Sequence, residues 1–259
     1  MDRFHEAYCY LKHLLTAKKR HGVHSPFVYH LSDQVLSESR EFGIFEKLEA
    51  LRRKLENDQH IIEVQDYGAG SRVHNTSIRS VSQISKTALA PKKQSQALFK
   101  LTLELQPKRI LELGTSLGLT TLYLHAAAGQ NAQITTIEGA PAIAEIAKEN
   151  FIHFGADTIQ IQIGKFENQL SQLNQEFDLI YIDGDHRFGP TMNYFEKCKS
   201  LLSPKGWMIL DDIYWSKEMT KAWAECVADE RFNLALDFYH FGVLLRDNRK
   251  EREYYRLSL

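Results

Sequence analysis

The stretch Arg109-Ile-Leu-Glu-Leu-Gly-Thr-Ser-Leu-Gly-Leu-Thr-Thr121 decides the fold. An apolar segment runs into a turn with glycines at 114 and 118, and a helix opens behind it. Gly114 and Gly118 let backbone approach a bound group closely. The next apolar segment, Ile134-Thr-Thr-Ile-Glu138, ends on an acid 24 residues after Gly114. A carboxylate at a strand end can accept hydrogen bonds from ribose hydroxyls. Glycine turn and acid together indicate a nucleoside ligand at the carboxyl ends of the strands.

Outward from this unit, strands are expected at 109–113, 133–138, 158–163, 177–182, 206–211, 232–239 and 242–246. Helices are expected near 118–128, 141–154, 187–201 and 215–229, with Gly129 and Gly155 as stops. Such alternation implies βαβ units and a mainly parallel, seven-stranded sheet with helices on both faces. No helix separates the last two strands, so the last is expected antiparallel. Residues 91–259 form this domain, and residues 1–90 form an N-terminal helical cap and connector. There, Phe4, Tyr8, Leu11 and Leu15 share one helical face. Ser25-Pro26 opens a second helix. A third runs from about Phe45 to Leu55, with Glu49 and Arg53 as an i,i+4 pair. Residues 60–66 read as a strand. Residues 71–90 carry only a weak helical pattern, at Ile78, Val81 and Ile84, and fit a lid or an ordinary connector. Lys18–His24 is basic, as suits a helix C-terminus or a phosphate contact.

The chain has 259 residues, 43% hydrophobic and 25% charged, with a net charge of -1. That balance gives no global field toward nucleic acid or an anionic membrane. No apolar run is long enough for a membrane span, and the start lacks a signal-peptide pattern. Cys9, Cys198 and Cys226 form no CxxC pair, which points to free thiols in a reducing compartment, the cytoplasm.

Glu112-x-Gly114-x-x-x-Gly118 resembles motif I of the class I methyltransferases that use S-adenosylmethionine (SAM), and the resemblance covers roughly residues 90–259. It differs from the dinucleotide fingerprint Gly-x-Gly-x-x-Gly, because Ser116 stands at the middle glycine. The resemblance implies a Rossmann-like methyltransferase fold with SAM as cofactor. It puts Glu112 near the methionine amino group and wraps Gly114, Thr115, Ser116 and Gly118 round the methionine part. Glu138, followed by Gly139, falls at the ribose, and Gly164 and Phe166 beside adenine. Between those two, Lys165 stands where many relatives carry an acid. Two other patterns compete. Gly114-Thr-Ser116-Leu-Gly118 also reads as a hydrolase nucleophile elbow, but no oxyanion loop accompanies it. Asp66-Tyr-Gly-Ala-Gly70 imitates a second cofactor motif and reads better as a tight turn.

The chemistry is expected from two further strand ends. Phe177-Asp-Leu-Ile-Tyr-Ile-Asp-Gly-Asp-His186 delivers Asp183, Asp185 and His186, and Trp207-Met-Ile-Leu-Asp-Asp212 delivers Asp211 and Asp212. Converging carboxylates repel, and a divalent cation with oxygen ligands relieves that. The layout resembles the cation-dependent O-methyltransferases of the catechol type. That resemblance makes Asp183, Asp211 and Asp212 ligands for Mg²⁺ or another divalent cation, and sets Asp183 beside the cofactor too. Asp212 departs from the Asn common there. His186 stands where that family has a lysine, and a histidine can act as general base near neutral pH. The plain alternative is a turn shaped by Asp183-Gly-Asp, with His186 capping the next helix. Tyr214 and Trp215 either wall an acceptor pocket or belong to the core. The expectation is a methyltransferase acting on a hydroxylated small molecule, not on nucleic acid and not at a membrane, with a homodimer as one use of the N-terminal helices. The alternatives are a metal-independent RNA or N-methyltransferase and a non-catalytic SAM-binding protein.

Overall fold

A computed structural model describes residues 3–18, 24–38, 40–64, 78–247 and 251–259. The chain packs as two compact units, residues 39–173 and residues 1–38 with 174–259. The Asp66–Gly70 motif, residues 71–77, and Lys19 to Val23 lie outside the described residues.

Helix α1 spans Arg3–Thr16. The apolar face that Phe4, Tyr8, Leu11 and Leu15 share is turned outward: Phe4 is 90% exposed and Leu15 86%, with Tyr8 and Leu11 also exposed. Cys9 and His13 are the buried side chains of α1 instead. The short α2, Pro26–His30, begins as expected, with the Ser25 hydroxyl accepting from the Val28 amide. It runs on as a π-helical stretch, Leu31–Leu36, that buries Leu31 and Val35.

The unit 39–173 opens with α3, Gly43–Asn57. Its expected Glu49–Arg53 pair is replaced by a buried one. Glu49 accepts from Arg52 at 3.3 Å and from the Tyr123 hydroxyl at 2.7 Å. A burial site with two donors outcompetes an exposed helical pairing. Strands β1, Ile61–Glu63, and β2, Ile78–Ser80, pair antiparallel. Helix α4, Val81–Ala88, then starts on a capping box made by Ser80 and Gln83, so residues 78–88 of the ambiguous segment are regular structure. Helix α5, Lys92–Leu105, ends on left-handed Gln106 just before Pro107. The alternation follows: β3 Arg109–Leu113, α6 Leu119–Ala128, β4 Gln133–Glu138, α7 Pro141–His153, β5 Gln160–Ile163 and the short α8 Phe166–Leu170. Strands β3, β4 and β5 are parallel, with Glu112 opposite Thr136 and Glu138 opposite Ile163.

The other unit continues with β6 Phe177–Ile182, α9 Phe188–Leu201, β7 Leu202–Asp211, α10 Lys217–Ala228, β8 Leu234–Asp237, β9 Phe241–Leu245 and β10 Glu253–Arg256. Strands β6 and β7 are parallel, while β9 runs antiparallel to both β7 and β8. The expected antiparallel strand is β9. One strand was not expected: β10 pairs parallel with β8 beyond it. The architecture is thus α/β, mainly parallel and Rossmann-like. Strands β6 and β9 and residues 206–211 of β7 are almost wholly buried, as the near-continuous apolar runs of such sheets require.

Candidate cofactor cradle and acidic cluster

The turn after β3 is shaped by local hydrogen bonds. Gly114, at φ +100°, donates its amide to the Ile137 carbonyl at 2.9 Å. The Thr115 and Thr136 hydroxyls meet at 2.5 Å. Ser116 takes a left-handed φ of +48° and donates its amide to Glu138 Oε2 at 2.9 Å. Gly118, at φ +81°, starts α6; a Cβ there would lie 2.5 Å from Phe151 Cε1. The glycine at 118 is therefore demanded by packing on α7 as well as by its backbone angle.

Glu112 is fully buried on β3. Its Oε2 accepts from the hydroxyls of Thr121 and Thr136, at 2.5 and 2.6 Å. Its Oε1 is buried with no hydrogen-bond partner. Burial pushes this carboxyl up to about 7, although the two threonines pull the other way. An acid left half-satisfied in this way suits a cationic donor such as an amine, which would pair the orphan oxygen and favour the ionised form. Thr121 and Thr136 were not singled out from sequence, because a lone threonine in an apolar element carries no signal of its partner.

Glu138 is occupied from both sides. Its Oε2 takes the Ser116 amide and its Oε1 the Ala140 amide, each at 2.9 Å. A carboxylate oxygen can accept more than one hydrogen bond, so a hydroxyl donor can share the same acid. Gly139 is half-buried between them. Gly164, at φ +143°, donates its amide to the Glu138 carbonyl, and half-buried Phe166 opens α8. The Ser116 hydroxyl is buried without a hydrogen-bond partner, so the general base that a serine nucleophile needs does not touch it.

The acidic cluster belongs to the other unit. Ile182 of β6 is opposite Leu210 of β7, so Asp183 and Asp211 follow at neighbouring strand ends. His186 Nε2 lies 3.7 Å from Asp183 Oδ1 and 3.7 Å from Asp212 Oδ2. The Trp215 ring packs 5.4 Å from the imidazole. Asp211 is buried and accepts from the Tyr181 hydroxyl at 2.5 Å. Asp185 does not join the cluster: Arg187 holds both its oxygens, at 2.5 and 2.6 Å. His186 does not cap α9 either, whose first amide, on Phe188, donates to Glu218. The Tyr214 hydroxyl donates to Asp237 at 2.5 Å.

Carboxylate oxygens are the donors that Mg²⁺ prefers, so Asp183, Asp211 and Asp212 fit a divalent cation chemically. Among the described residues, no three His, Cys, Asp or Glu side chains are gathered as a metal site.

Comparison with known proteins adds four findings. A family model described as a methyltransferase domain matches residues 111–213. A catechol O-methyltransferase of Niastella koreensis is 29% identical over 161 residues, 60% of this chain and 72% of that protein. A catechol O-methyltransferase of Mycobacterium tuberculosis is 35% identical over 94 residues, 36% of this chain but only 43% of its own length. Among solved structures, an SAH-bound methyltransferase of Podospora anserina superposes with a TM-score of 0.54 at 21% identity, over 82% of this chain and all of that one. The structural likeness supports the fold.

Proposed function

We propose that the chain is a class I SAM-dependent O-methyltransferase, as its likeness to a methyltransferase domain and to catechol O-methyltransferases supports, and that it methylates a hydroxyl of a small molecule with a divalent cation's help. The observation that carries the proposal is the placement of Asp183 and Asp211 at neighbouring strand ends, with His186 3.7 Å from Asp183 and from Asp212. In this reading Glu112 pairs its orphan oxygen with the amino group of SAM. Gly114, Thr115, Ser116 and Gly118 line the methionine part. Glu138 and Gly139 serve the ribose, and Gly164 and Phe166 flank adenine.

His186 Nε2 takes the proton of the acceptor hydroxyl, and Asp183 and Asp212 stabilise the imidazolium that forms. The oxygen then attacks the sulfonium methyl in line. A C–O bond forms, the C–S bond breaks and its electron pair returns to sulfur, leaving a neutral thioether. Much of the rate comes from alignment of the two reactants. Asp183, Asp211 and Asp212 are the residues that would hold a divalent cation. Such a cation supplies Lewis acidity that favours the deprotonated acceptor.

A second reading has its own support. The contacts of His186 with both acids suit a base that works without metal. The test is methyl transfer to a panel of catechols and hydroxylated aromatics, with and without EDTA. Loss of activity in EDTA, restored by Mg²⁺, supports the metal reading; activity indifferent to EDTA but lost in His186→Asn supports the other. Failure of SAM to bind at high micromolar concentration sinks both.

A homodimer is the partner proposed for the apolar face of α1, and sedimentation velocity of the whole chain tests it. No described helix is long and apolar enough to cross a membrane. Free, buried Cys9, Cys198 and Cys226 accord with the proposed cytoplasmic location.

A further inference from the structure

Every residue of the turn 114–118 is gripped by the βα unit that follows it. Ile137 takes the Gly114 amide, Thr136 meets Thr115, and Glu138 takes the Ser116 amide. The last two grips come from α7. Asn150, only 6% exposed, donates its side-chain amide to the Leu117 carbonyl at 2.9 Å. Phe151 and Ala147 fill the space where a Cβ on residue 118 would sit.

These last two grips answer a conflict. Close packing of Phe151 forces glycine at 118. Glycine removes the steric barrier that would keep the 117–118 peptide in one orientation. A flip of that peptide would reverse the Leu117 carbonyl and the Gly118 amide, which now donates to the Thr115 carbonyl at 2.9 Å. Leu117 itself is fully buried, so its carbonyl has little access to water. The Asn150 amide is the side-chain group that holds this carbonyl in place.

We propose that Asn150 is a positioning residue for the cofactor: through the Leu117 carbonyl it locks the 117–118 peptide and keeps the turn in its binding conformation. It acts through the turn and does not touch the reacting atoms. The inference rests on the reading of 114–118 as the SAM turn.

The test is SAH titration by calorimetry on the whole chain, with steady-state kinetics in SAM. Asn150→Leu keeps the side-chain size and removes the donor. Its SAH dissociation constant is expected to rise about tenfold or more, the scale of leaving a buried carbonyl unpaired. The turnover at saturating SAM should stay within about twofold, so KM moves and kcat does not. Hydrogen exchange at the Gly118 amide should speed up. Ala144→Gly, on the same helix, is the control for simple destabilisation and should leave the dissociation constant unchanged. If Asn150→Leu does not fold, Asn150→Ser takes its place. The inference is overturned if the variant binds SAH as the wild type does, or loses no more affinity than Ala144→Gly at equal loss of melting temperature. Failure of the wild type itself to bind SAH overturns the cofactor reading, a distinct result.

Discussion

Glu112 and Asp237 are both 0% exposed, yet their surroundings push them in opposite directions. Asp237 is surrounded by donors. The Tyr214 and Tyr254 hydroxyls, Arg256 Nε and the Tyr239 amide all reach it, and His13 Nδ1 lies 3.3 Å away. Burial raises its carboxyl, but His13, Tyr214, Tyr254 and the Tyr239 amide outweigh that and hold it below the usual range. Glu112 has two hydroxyl donors on one oxygen and none on the other, and burial wins. A buried acid with its full complement of donors is a clamp: Asp237 ties α1, β8 and β10 together. A buried acid with half its complement has one oxygen left for a donor from outside the chain, which is the socket that the proposed cofactor site requires.

The sharpest way to break this contrast is Asp237→Ala. It strands two tyrosine hydroxyls, an arginine and a histidine in one place. Removing one side of a buried charged cluster costs about 3–5 kcal/mol. Urea unfolding should show that loss at pH 7. A loss under about 1 kcal/mol would mean the cluster is not a clamp. The sign with pH also follows. The depressed Asp237 carboxyl contributes stability above its unfolded value, near 3.8, and loses it as pH falls through the lower folded value.

Glu112→Gln should do something different in kind. The folded carboxyl titrates near 7, against an ordinary 4.5, so the native state holds its proton longer than the unfolded chain. Stability of the ligand-free wild type should therefore fall as pH rises from 4.5 to 7, by about 3 kcal/mol if no other group intervenes, and level off above. The amide of the variant cannot titrate, and its unfolding should lose this slope. Its SAM affinity should drop about 10- to 100-fold, the worth of a charge-assisted hydrogen bond. Calorimetry showing wild-type affinity in the variant would remove Glu112 from the site.

The contrast also explains what could be read from the chain alone. The turn 114–118 and the strand end at Glu138 were legible because Gly114, Gly118 and Glu138 are carried by two successive βα units, and the glycines and the acid each answer a local demand. Long-range pairings were not. The apolar stripe of α1 correctly announced a helix, but periodicity cannot say which face turns inward. His13 is buried because the Leu257 carbonyl and Asp237 wait more than 200 positions away. The four residues of β10 were too short to announce a strand, although they supply Tyr254 and Arg256 to Asp237. Glu49 was given to Arg53 by spacing, and Tyr123, 74 residues on, claimed it. Among the acids at 183–212, strand ends were readable, but the capture of Asp185 by Arg187 was a matter of rotamers.

The smallest expected effect separates clamp from socket most finely. Thr136→Val and Tyr254→Phe each delete one hydroxyl donor to a buried acid and nearly preserve shape. Each should cost about 1 kcal/mol, as single hydrogen bonds do. Their pH signatures should differ. Loss of Thr136 takes away a group that favours the charged form of Glu112, so its titration moves above 7 and the fall in stability extends to higher pH. Loss of Tyr254 leaves Asp237 with His13, Tyr214, Arg256 and the Tyr239 amide, so the acid remains ionised and stability near neutral pH keeps its wild-type slope. Unfolding free energies of both variants between pH 6 and 9 decide the matter. If Tyr254→Phe changes the neutral slope as much as Thr136→Val does, Asp237 is no better satisfied than Glu112, and the distinction between them fails.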